Sequence, residues 1–147
     1  LICSKRNGSD DVHHFYDDLA KFSHGEMIWL FNEYIAVNSN HWDSLLLSVR
    51  ESFHHNVFAC SVHCRFKEPE LDFSCPAISR EWYGRLRMIS SDRYYRYFIE
   101  KTASSIDRLA HLDLETCRSK NCVLIKREPS VTSDIDKQIN EAIRKLR

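Results

Sequence analysis

Apolar side chains fall at helical spacing along most of this chain. Val12, Phe15, Tyr16, Leu19 and Phe22 follow the i, i+3, i+4, i+7 rule over Val12–Phe22, behind the cap cluster Ser9-Asp10-Asp11. Ser23-His24-Gly25-Glu26 has the form of a capping box for a second helix, Met27–Val37, with Ile28, Phe31 and Ile35 inward. Asn40 and Asp43 restart a third helix from Trp42 to about Cys60, where Leu45, Leu46, Val49, Phe53 and Val57 make the stripe. Lys67–Pro76 carries two prolines and no period, which predicts a connection. Ser79 caps a fourth helix, Arg80–Ile89. Ser91-Asp92 caps a long fifth, Arg93–Leu112, with Tyr94, Tyr97, Phe98, Ile106, Leu109 and Leu112 on one face. Cys122–Lys126 is short and partly β-branched, a strand or a buried loop. Ser133 caps a last helix in which Ile135, Ile139, Ala142, Ile143 and Leu146 are cleanly amphipathic.

The expectation from this pattern is an all-α fold. Residues 1–147 would form a single bundle-like domain of five or six helices with at most one short strand. Glycine and proline sharpen it: three of each in 147 residues is few for a protein with many tight turns. The chain begins without methionine and ends inside a helical pattern at Leu146–Arg147, as a piece of a longer protein would.

Composition changes the picture little. A hydrophobic fraction of 43% can fill a core, and 29% charged residues supply a solvated surface. Formal net charge is zero, so any attraction to nucleic acid must come from a local patch. Apolar runs such as Met27–Phe31 are far short of the roughly 20 residues that span a bilayer, so no membrane partner is expected. The opening LICSKRNGSDD turns polar at once, unlike a secretory leader. Six cysteines (Cys3, Cys60, Cys64, Cys75, Cys117, Cys122) are then expected as reduced thiols in the cytoplasm.

Two stretches carry candidate chemistry. Ser48–Cys64 (SVRESFHHNVFACSVHC) puts Arg50, His54, His55, His63, Cys60 and Cys64 close together. Arg50 and His55 enclose four residues, and that spacing resembles the R-x4-6-H signature of HEPN ribonucleases, an all-helical family that cuts RNA without metal. The resemblance implies a dimer cleft in which His55 moves a proton and Arg50 holds the scissile phosphate. Glu51 and His54 crowd the motif, and Arg6 with His13 matches the spacing too. The plain alternative is a solvated helix face. The same stretch offers Cys60, Cys64 and His63 as zinc ligands, with Cys75, Cys117 or Cys122 to complete a tetrahedron, but C-x3-C lacks the tight knuckle of structural zinc sites. No metal and no cofactor are expected.

Arg80–Lys101 (REWYGRLRMISSDRYYRYFIEK) is locally positive and rich in aromatics. Arg80, Arg85, Arg87, Arg93 and Arg96 could hold phosphates while Tyr95 stacks a base. Within it, RMISSDRYYRYF is similar to a segment of KAP-type P-loop NTPases, although the chain has no G-x-x-x-x-G-K-[ST] to hold a nucleotide. The functional expectation is a non-catalytic helical interaction module that binds RNA or DNA, or a protein partner or second copy, through this segment. Its rivals are the HEPN-like ribonuclease of Arg50 and His55 and a structural subunit of a larger complex.

Overall fold

Helices and strands are interspersed in the computed structural model of this protein, which describes residues 12–31, 35–65, 72–90, 94–118 and 133–147. The order is α1 (Val12–Phe22), β1 (Met27–Trp29), β2 (Ile35–Val37), α2 (Trp42–Ser48), a 3-10 turn (Val49–Ser52), β3 (Ala59–Arg65), β4 (Asp72–Ser79), α3 (Arg80–Leu86), α4 (Tyr95–Ser104), β5 (Leu109–Arg118) and α5 (Ser133–Leu146). The all-α bundle is therefore wrong: the fold is α/β, built on a five-stranded mixed sheet.

The strands lie in the order β1-β4-β3-β5-β2. β3 and β4 pair antiparallel from Ala59↔Ile78 to Arg65↔Asp72. β5 returns parallel to β3, from Ala59↔Leu109 to Arg65↔Glu115, after the crossover through α3 and α4. The short β1 and β2 close the two edges, pairing antiparallel with the end of β4 and the end of β5.

Successive strand residues point to opposite faces, so this register sorts the side chains into two layers. One face holds Ala59, Ile78 and Ile28 against Ala20 of α1, Trp82 and Leu86 of α3, Phe98 and Ile99 of α4, and Ile135, Ile139 and Leu146 of α5. On the other face Cys60, Val62, Ala77 and Leu114 meet Leu46 of α2 and Val49 of the 3-10 turn, and Phe53 stacks on Phe58 with centroids 5.0 Å apart. Cys64, Cys75 and Ile35 continue that second layer beside Trp29 and Phe31.

Four predicted elements become something else, each for a visible reason. Ser23-His24-Gly25-Glu26 ends α1 rather than starting a helix: the Ser23 amide bonds back to Leu19 and Ala20, and the Ser23 hydroxyl donates to the Ala20 carbonyl. The predicted Met27–Val37 helix is the two edge strands β1 and β2. The predicted Trp42–Cys60 helix stops at Ser48, whose hydroxyl donates to Leu45 O at 2.7 Å as the coil tightens into the 3-10 turn. Asp72–Pro76 of the predicted Lys67–Pro76 loop lies in β4. Pro76 is tolerated there because its carbonyl accepts from Leu30 N at 3.0 Å, so its missing N–H falls on the β1 side, off the β3 ladder. The predicted Arg93–Leu112 helix ends at Ser104, and a turn with Asp107 at φ 54 leads into β5. Glycine scarcity misled because His41, Arg87 and Asp107 take positive φ without it. The Ser9-Asp10-Asp11 and Ser91-Asp92 caps and Cys122–Lys126 lie outside the described residues.

Candidate functional site

The face carrying α2 is thinly covered. Trp42, Leu45, Leu46 and Val49 form one i, i+3, i+4, i+7 stripe, but of these only Leu46 and Val49 are buried. Trp42 stays 40% exposed and Leu45 41%, while Leu47 on the flank is 46% exposed. The Trp42 ring lies 5.2 Å from that of Trp29, which lies 4.5 Å from Phe31, so an aromatic row extends along the rim. Trp29 is held in place by its indole N–H, which donates to Cys75 O at 3.1 Å.

Leu47 borders an open cleft of about 520 Å³, whose walls include Glu26, Ser48, Arg50, Phe53 and Asn56. Arg50 is on the 3-10 turn, not mid-helix as the ribonuclease resemblance requires, and its Nη1 donates to Glu26 Oε2. His55 sits exposed in the bend before β3, apart from the cleft lining. The helical scaffold implied by the resemblance is not the scaffold of this chain.

The basic–aromatic segment is largely spent on holding the fold together. Arg80 donates to Gly25 O and Ala20 O, both at 3.1 Å, and to the Ser23 hydroxyl, clamping the turn between α1 and β1. Arg85 reaches Leu146 O at 3.1 Å, where Arg108 also arrives at 2.9 Å, so two guanidinium groups meet the negative end of α5. Arg96 donates to Ser74 O at 3.0 Å. One turn along α4, Glu100 accepts from the Ser61 and Ser74 hydroxyls at 2.6 and 3.0 Å, fixing the helix on β3 and β4. Tyr95 packs edge-on against Tyr16 with centroids 5.2 Å apart, and burial, first of all, pushes both phenols above their ordinary range. Arg87 is exposed at the left-handed C-cap of α3, and Arg93 lies outside the described residues. Among the described residues, the structure thus brings no row of solvent-facing arginines together from this set.

The zinc candidates separate too. Cys60 and Cys64 share the α2 face of β3, whereas His63 projects from the opposite face. Cys60, Cys64 and Cys75 are buried thiols, and burial pushes the Cys60 thiol up to about 12, far from the thiolate a metal needs. The Cys117 side chain and all of Cys3 and Cys122 lie outside what is described. Among the described residues no three His, Cys, Asp or Glu side chains gather closely enough to enclose a metal ion, and no helix is long and apolar enough to cross a membrane.

Two features escaped the sequence reading. His63 of β3 and His111 of β5 stand side by side, Nε2 to Nδ1 at 3.3 Å, and Asp17 of α1 accepts from the Ile89 amide. The alternation of His111, Asp113 and Glu115 with Ala110, Leu112 and Leu114 was the available signal for the first. Comparison with family models, curated proteins and solved structures finds no match for this chain.

Proposed function

We propose that this domain is a non-catalytic interaction module that binds a protein partner through the α2 rim. The observation that carries it is the exposure of Trp42, Leu45 and Leu47, three large apolar side chains on a seven-residue helix. Clustered exposed apolar residues, tryptophan above all, are what desolvated interface centres are made of. The cleft beside Leu47 offers a seat for one apolar side chain of the partner, with the Arg50–Glu26 pair at its wall to meet a polar rim. The nucleic-acid alternative is weaker, since Arg80, Arg85 and Arg96 already donate to backbone carbonyls. The buried thiols suit a reducing cytoplasm.

Site-specific photocrosslinking in cells tests this. A photoreactive residue at Leu45 or Leu47 should give discrete protein adducts, and one at Arg87 should not. Adducts with nucleic acid at Arg87, together with salt-dependent RNA or DNA binding, would move the function to the basic segment. Equal background labelling at all three positions would remove the α2 rim as an interface.

A further inference from the structure

We propose that His63 and His111 form a solvent-facing two-histidine chelate for a divalent transition-metal ion, copper(II) or zinc(II), that bridges β3 and β5. The two residues come from neighbouring parallel strands in a fixed register: Ser61 pairs with His111 and His63 with Asp113. Both project from the face that carries Ser61 and Glu100, at the end of the strands beyond the helical core. Their rings are 22° from parallel with centroids 5.6 Å apart, and Nε2 of His63 lies 3.3 Å from Nδ1 of His111.

The centroid separation is the nitrogen separation plus two ring radii, so the two nitrogens face each other head-on, as in an imidazole–imidazole hydrogen bond. Two zinc–nitrogen bonds of about 2.0–2.1 Å at the tetrahedral angle also place their nitrogens about 3.3 Å apart, so a tilt of each ring about its nitrogen turns the pair toward one ion. Imidazole suits copper, zinc and nickel, and copper(II) binds such sites more tightly than zinc(II). Strand backbones hold the two rings together before any ion arrives, so the second imidazole acts at high effective concentration. Asp113 is in register with His63 on the same face. The cysteines on the opposite face take no part.

The test is copper(II) and zinc(II) titration of the intact chain, followed by calorimetry and by paramagnetic broadening of the imidazole proton signals. One copper(II) ion per chain should bind and broaden the His63 and His111 signals first. His63→Gln or His111→Gln should weaken that binding about a hundredfold while the far-ultraviolet spectrum stays unchanged. A His54→Gln, His55→Gln variant should bind like the parent. The inference is overturned if the parent binds neither ion, if binding survives in both glutamine variants of the pair, or if it follows His54 and His55 instead.

Discussion

The two faces of the central sheet are built to different ends. On one, α1, α3, α4 and α5 bury Trp82, Ile89, Ile99 and Leu146 to within a few per cent of full burial. Its charged groups turn inward: Arg80 and Arg96 end on backbone carbonyls and Glu100 on two hydroxyls. On the other, one short helix and a 3-10 turn cover the strands, and Trp42, Leu45 and Leu47 stay in water. The first face uses its cations and aromatics to hold itself together. The second leaves apolar surface unspent, and burying such surface on association would release free energy. Local composition therefore misleads about exposure: Arg80, Arg85 and Arg96 of the charged, aromatic segment are bonded within the fold, whereas the plain-looking WDSLLLS keeps three large apolar side chains exposed.

The sharpest contrast is between two tryptophans. Trp82→Ala removes a fully buried ring from the helical face and should cost about 3–5 kcal/mol, measured by denaturant unfolding. Trp42→Ala should change stability by no more than about 1 kcal/mol and abolish the crosslinks expected at Leu45. Equal losses for both would mean that the α2 rim is core and that the faces do not differ.

How far the sequence could be read follows the same division. α1, α3 and α5 were legible because each has a helical stripe, and at Ser79 a working cap whose hydroxyl accepts from the Trp82 amide at 3.2 Å. β3 and β5 were not, because apolar residues bridge the helix–strand boundary without a break. Val57 continues the stripe of Leu46, Val49 and Phe53, and Leu109 and Leu112 continue that of α4. Only the alternation beyond them, Cys60-Val62-Cys64 against Ser61-His63, marks the change of period. The arginines of Arg80–Lys101 were visible as a cluster, but their carbonyl partners are far away in sequence. Arg85 meets a residue 61 positions on, and such pairings depend on the tertiary fold. The exposure of Leu45 next to buried Leu46 was equally out of reach, since it depends on how little of α2 the sheet accommodates.

If the helical face is self-contained, its internal cations are structural. Arg80→Ala deletes three hydrogen bonds from a half-buried guanidinium and should cost about 1.5–3 kcal/mol. Proteolysis should then open the turn between α1 and β1 ahead of the rest of the chain. A loss within the noise of surface substitutions would instead return Arg80 to the pool of groups available to a ligand.

The smallest expected effect concerns Asp17, whose sign can be worked out. Burial pushes its carboxyl above the ordinary carboxylate range, and the Ile89 amide, with Lys21, His14 and His13, offsets this only in part. A folded-state value above the unfolded one means that the fold prefers the protonated acid. The stability from this group is therefore complete below the ordinary carboxylate value and is lost as pH rises through the raised one. At neutral pH the charge remains as a net cost. Asp17→Asn keeps an oxygen to accept from Ile89 and carries no charge at any pH. Its melting temperature should equal the parent's in acid, rise above it as the parent ionises, and stay above it to pH 7. A variant that melts below the parent at pH 7 would show that the carboxylate's bond to Ile89 and its attraction to Lys21 outweigh burial. Asp17 would then be a charged tie between α1 and the segment after α3, and the helical face would hold one more of its own charges inward.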